Sequence, residues 1–100
     1  MKTIWKYPLE LSNEQVIDMP EAAQILTIER QGIDGVTVDM KTDIVMWALV
    51  NTEAPIEKVL VEMFETGEEL PSGKRTYIST LQANDGAYII HTFKRENYGL

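Results

Sequence analysis

The chain has no cysteine in its 100 residues. That excludes disulfides, thiolate zinc sites, iron–sulfur clusters and cysteine nucleophiles, and it suits a reducing compartment. Histidine occurs once, at His91, so multi-histidine metal sites are excluded as well. Positive charge is scarce: nine lysines and arginines stand against sixteen aspartates and glutamates, for a net charge of −7. Nonspecific nucleic-acid binding and attraction to anionic lipid both need a positive field, so direct nucleic-acid and membrane partners are not expected. Long apolar runs are missing too. The longest, Ile44–Val50, falls far below the roughly 20 residues that span a bilayer. No basic start followed by about 7–15 apolar residues marks a secretion signal, and the expected location is the cytoplasm.

What remains is 44% hydrophobic and 25% charged, a globular balance rather than a disordered one. The length matches one domain of about 100–150 residues. Residues 1–100 are therefore read as one domain, with 95–100 expected to fray.

Periodicity points mostly to short strands. In Thr3–Tyr7, Ile4 and Lys6 alternate with Thr3, Trp5 and Tyr7. Pro8 has no N–H and fits an edge strand or a strand end. Gln15–Asp18 reads as a second strand that stops before Met19-Pro20. Ala23–Arg30 precedes Gln31-Gly32-Ile33-Asp34-Gly35, whose glycines permit a reversal. Val36, Val38 and Met40 alternate with Thr37 and Asp39 as in a half-buried strand, before a turn at Lys41-Thr42-Asp43. Ile44–Val50 has no polar position on either face; both sides need cover, so it is the expected central strand, with Trp47 in the core. Thr76–Gln82 and Ala87–Lys94 flank Ala83-Asn84-Asp85-Gly86, the strongest hairpin signal in the chain. There Tyr77, Ser79 and Leu81 share one face and Ile78, Thr80 and Gln82 the other.

Two segments admit a second reading. In Ala54–Leu70, residues Ile56, Val59, Leu60, Met63 and Phe64 follow the spacing of an amphipathic helix. Thr52 would cap it, Pro55 would lie in its first turn and Gly67 would end it. The same stretch reads as a strand with Val59, Val61 and Met63 opposite Leu60, Glu62 and Phe64. Pro20–Gly32 is ambiguous in the same way, with Asp18 as cap and Gly32 as stop.

The opening Trp5-Lys6-Tyr7-Pro8-Leu9-Glu10 resembles a family of short, largely uncharacterised phage and bacterial proteins. Further words follow in order: Met19-Pro20 with Ala23 and Ile25-Leu26, then Trp47-Ala48-Leu49-Val50. Glu65-Thr66-Gly67, Tyr77-Ile78-Ser79-Thr80 and His91-Thr92-Phe93 complete the series. The resemblance implies a strand over Lys58–Phe64 and carries no activity. Two departures stand out: Ala22 stands where the family commonly has glycine, and Val36–Asp43 looks like extra length between two strands. The expected fold is mainly β, a small antiparallel β-sandwich or rolled-sheet domain, with one short helix left open at Ala54–Leu70.

Candidate chemistry is sparse. His91 is the one histidine, the residue type suited to acid–base chemistry at neutral pH; it reads as a general base, a ligand contact, or a structural histidine sharing a face with Ile89 and Phe93. No acid or nucleophile is placed beside it by spacing, although Ser79, Thr80 and Thr92 are neighbours across the hairpin. Ser72-Gly73-Lys74 lacks the long glycine-rich run of a P-loop. Lys74 and Arg75 are an adjacent basic pair, and beside Tyr77 they suit a phosphate and a stacked base. Trp5 and Tyr7 either pack inward or form a patch for a partner. Glu65, Glu68 and Glu69 form the one dense charge cluster and read as a solvated turn; Asp34, Asp39 and Asp43 lack EF-hand spacing.

No enzyme, cofactor or metal site is expected from this inventory. The expected function is a non-catalytic, phage-derived interaction protein whose acidic surface engages a host protein. The alternative is a small-ligand, nucleotide-like binding module. The candidate contacts are Trp5, Tyr7, Lys74, Arg75, Tyr77 and His91. A homodimer through the Thr3–Tyr7 edge strand is expected from its unpaired edge.

Overall fold

Seven strands account for the regular structure of this computed structural model, which describes residues 1–31, 43–83 and 86–99. They are β1 (Lys2–Leu9), β2 (Glu14–Pro20), β3 (Gln24–Arg30), β4 (Ile44–Asn51), β5 (Ile56–Glu65), β6 (Arg75–Ala83) and β7 (Tyr88–Arg95). One sheet has the order β1-β4-β3 and the other β2-β5-β7-β6, and every neighbouring pair is antiparallel. The expected mainly-β architecture of antiparallel sheets is what forms, and no helix occurs among the described residues. The predicted reversal at Gly32–Gly35, the Val36–Met40 strand and the Lys41-Thr42 turn lie outside the described residues, as do Asn84 and Asp85 of the hairpin turn.

The two sheets are joined by a shared apolar layer. Leu9, Met19, Ile28, Ile44, Met46, Ala48, Val50, Val59, Val61, Met63, Leu81 and Ile90 form one buried cluster to which every strand contributes. The chain crosses between sheets three times through short links, so consecutive strands face each other across this layer. At one of these links, 21–23, Ala22 takes a φ of 62°, and Glu21 donates its N–H to the Pro55 carbonyl at 2.7 Å.

In the Ala54–Leu70 stretch, Ile56–Glu65 is strand and none of it is helix. Val59 through Phe64 are all buried, so the run is covered on both faces rather than along one stripe. Glu62, the charge inside it, is neutralised by arginines distant in sequence, a pairing that local spacing cannot reveal. The Pro20–Gly32 ambiguity also resolves to a strand, β3, and β2 extends beyond the predicted Gln15–Asp18 to take in Met19 and Pro20.

Trp47 corrects an expectation. β4 is central, but only Ile44, Met46, Ala48 and Val50 face the opposite sheet. Trp47 lies on the outward face and is half-buried, its register neighbours being Lys6 and Thr27. In β6 the predicted alternation breaks at Ile78. Tyr77 is opposite Phe93 and Ser79 opposite Thr92, leaving Ile78 as an extra residue. This bulge turns Tyr77 to the outside while Ser79 and Leu81 stay inside. Arg95, expected to open a frayed tail, instead ends β7 and is ion-paired.

Candidate functional site

Residues on the outward face of the four-stranded sheet follow from register. Glu62 and Phe64 of β5 lie opposite Phe93 and His91 of β7, which lie opposite Tyr77 and Thr80 of β6. β5 and β6 both run antiparallel to the β7 between them, so the 66–74 connection must return the chain along its length. Glu62 is fully buried and accepts from Arg75 Nε at 2.8 Å and Arg95 Nη1 at 3.1 Å. The same guanidiniums donate onward, Arg75 to the Pro71 carbonyl at 2.6 Å and Arg95 to the Ser72 carbonyl. Arg75 also lies 5.9 Å from the Phe64 ring centroid. Gly73, with a φ of 127°, leaves room for Arg95; a Cβ there would run into the guanidinium.

Three of the six candidate contacts therefore meet on this face, with altered prospects. Arg75 is committed to Glu62 and Pro71 and is not free to hold a phosphate. Tyr77 is exposed, donates to or accepts from Thr80 Oγ1 at 2.7 Å, and packs edge-on against Phe93 at 5.9 Å. His91 has Thr66 Oγ1 at 2.8 Å from Nε2 and Thr80 Oγ1 at 3.1 Å from Nδ1. Both ring nitrogens thus meet hydroxyls, which fixes the ring without a carboxylate to polarise it. Lys74 accepts the Glu96 N–H through its carbonyl and is otherwise exposed.

Trp5 and Tyr7 lie apart from these, on the inward face of β1 in the other sheet, packed edge-to-face at 6.5 Å. Trp5 is nonetheless 39% exposed, because β1 is the outermost strand of its sheet. The Tyr7 hydroxyl is buried with no hydrogen-bond partner among the described residues. Burial pushes its phenol above the ordinary value.

A second locus was visible in the sequence only as a charge cluster. At one end of the molecule a depression of about 390 Å³ is lined by Leu11, Ser12, Asn13, Met63, Glu65, Glu68, Tyr88 and Ile90. Asn13 Nδ2 donates to the Met63 carbonyl at 2.9 Å and to Glu68 Oε2 at 2.8 Å, and the Glu65 N–H donates to Glu68 Oε1 at 2.9 Å. Glu68 is held by these bonds, whereas the Glu65 carboxylate has no partner among the described residues. Glu65 and Glu68 thus line the depression together with half-buried Leu11 and Tyr88, while Met63 and Ile90 lie almost fully buried beneath it. No group of three or more potential metal ligands occurs among the described residues.

The sequence family described as Domain of unknown function (DUF7352) matches residues 1–99. The chain belongs to this family. Membership of DUF7352 brings no activity with it, so function has to be argued from the sites themselves. No curated protein and no solved structure matches the chain. No helix among the described residues is long and apolar enough to cross a membrane.

Proposed function

We propose that this DUF7352 protein is a non-catalytic, phage-derived interaction module that takes up basic side chains of a host protein in the depression beside Glu65 and Glu68. The observation that carries the reading is a depression in which half-buried Leu11 and Tyr88 stand beside Glu65, whose carboxylate has no partner among the described residues. A lysine or arginine has that same division, an aliphatic stem and a charged head. The stem would lie on Leu11 and Tyr88 while the head meets Glu65, the stronger hydrogen bonds being those to an ionised acceptor. The net charge of −7 favours approach of a basic partner at low salt. The nucleotide-like alternative has less support, because Arg75 is already bonded to Glu62.

Titration calorimetry with a short peptide carrying one arginine between apolar residues tests the reading. Glu65→Lys is expected to weaken binding by at least about tenfold, the equivalent of about 1.4 kcal/mol, while His91→Ala leaves it unchanged. Equal affinity of the wild type and Glu65→Lys would refute the site.

A further inference from the structure

Two outermost strands, β3 and β6, meet on one side of the molecule. Ser79 Oγ donates to the Ile28 carbonyl there at 2.5 Å. Both edges are bulged: Leu26 of β3 is an extra residue between Ile25 and Thr27, as Ile78 of β6 is between Tyr77 and Ser79. A depression of about 390 Å³ lies between the two bulges, lined by Ile25, Leu26, Tyr77 and Ile78 together with Lys94 and Glu96. Its apolar surface is accessible, because Leu26 is 45% and Tyr77 58% exposed while Ile25 and Ile78 are half-buried. Bulges at sheet edges re-aim side chains and end pairing, and they turn an edge away from further strands. The occupant that fits is therefore a small molecule rather than an added strand.

The depression carries charge of both signs. Lys94 continues the inward face of β7 after Ile90 and Thr92 and is half-buried. Its ammonium has no hydrogen-bond or ion-pair partner among the described residues. Thr76, opposite Lys94 in register, donates from Oγ1 to Glu96 Oε1 at 2.5 Å. Glu96 Oε2 has no partner among the described residues. Lys94 and Glu96 are thus both beside Thr76, yet they form no ion pair with each other. Both also border a smaller depression beside Glu57 and Lys58, where the Lys58 ammonium is held by Asp18 at 2.6 Å.

We propose that this depression binds a free α-amino acid with a large apolar side chain, Lys94 meeting its carboxylate and Glu96 its ammonium. The ligand's side chain lies against Leu26, Tyr77 and the two isoleucines. A few polar groups beside an apolar cleft are what fixes a small ligand's orientation. A plain carboxylate would engage Lys94 but meet Glu96 as a like charge, and a plain amine would meet Lys94 in the same way. The zwitterion answers both charges. Being neutral overall, it is also not repelled by a protein of net charge −7. The site is independent of the basic-side-chain site at Glu65, with which it shares no lining residue.

The test follows backbone amide resonances of the whole chain by nuclear magnetic resonance during titration with L-phenylalanine. Binding of millimolar order is expected to move the amides of 24–26 and 76–78 and to leave those of 65–68 in place. Hydrocinnamate lacks the ammonium and phenethylamine lacks the carboxylate; each is expected to bind the wild type at least about fivefold more weakly. Lys94→Met keeps the aliphatic stem without its charge, and Glu96→Gln keeps an acceptor for Thr76 without its charge. Each is expected to weaken L-phenylalanine at least about fivefold. Glu96→Gln is also expected to strengthen hydrocinnamate, a gain that a misfolded variant cannot give. Amides of 24–26 and 76–78 that stay in place up to the solubility limit of L-phenylalanine would overturn the proposal. So would hydrocinnamate or phenethylamine binding the wild type as tightly as L-phenylalanine, or an affinity for L-phenylalanine unchanged in both variants.

Discussion

Ala22 holds a φ of 62° at an exposed link between sheets. A Cβ in that region meets the following carbonyl and costs about 1–2 kcal/mol, part of which glycine recovers against its greater freedom when unfolded. Ala22→Gly is therefore expected to stabilise the fold by about 0.5 kcal/mol, read as a higher midpoint in urea. In the sequence the position stood out only through a resemblance, which implies glycine there; its cause needed the backbone angle. The Tyr7 hydroxyl was not legible, because alternation assigns Tyr7 a face but says nothing of what its oxygen meets. Tyr7→Phe removes a buried group without a partner and is expected to gain about 1 kcal/mol. Burial raises the folded-state phenol above 10.0, so its protonated form is the one the fold favours. That contribution is complete below pH 10 and is lost as the pH climbs through the raised folded value. The stability difference between wild type and Tyr7→Phe should therefore be constant below pH 10 and widen above it.

At the scale of elements, the 66–74 connection depends on Glu62. Arg75 and Arg95 are largely buried around it, with 13% and 23% of their side-chain surface exposed, and they hold Pro71 and Ser72 in turn. Replacing one member of such a cluster leaves the others buried without compensation. Glu62→Gln is expected to cost about 3 kcal/mol and to speed amide exchange across 68–74, which exchange measured by mass spectrometry would resolve. Unchanged exchange there would mean the connection is held by other contacts. This element also shows where local pattern fails. The spacing Ile56, Val59, Leu60, Met63, Phe64 is helical, yet β5 is covered on both sides, one by the core and one by side chains from β6 and β7. The bulge at Ile78 was hidden for a similar reason. It follows from the buried bonds of Ser79 to Thr92 and to Ile28, which join residues far apart in sequence.

For the whole molecule, strand content and the β6–β7 hairpin were readable because turn chemistry and two-residue alternation are local signals. Pro8 marked β1 as an edge and the doubly apolar Ile44–Val50 marked β4 as central, and both hold; that β2, β3 and β6 are outermost as well was not readable, since it depends on how the chain crosses between sheets. The candidate contacts divide accordingly. Arg75, Tyr77 and His91 met as register dictates, but Arg75 is spent on a structural ion pair. The depression beside Glu65 draws on residues 11–13, 63–68 and 88–90, segments that no single stretch of sequence relates. In the function proposed above, this protein acts by presenting a carboxylate beside Leu11 and Tyr88 rather than by chemistry at a reactive group. Its most direct test is calorimetric titration of the wild type with the arginine peptide at about 0.05 and then about 0.5 M salt, between which the Debye length falls from roughly 14 to 4 Å. A dissociation constant rising at least about fivefold is the result expected of an exposed ion pair; affinity unmoved by salt would contradict the account.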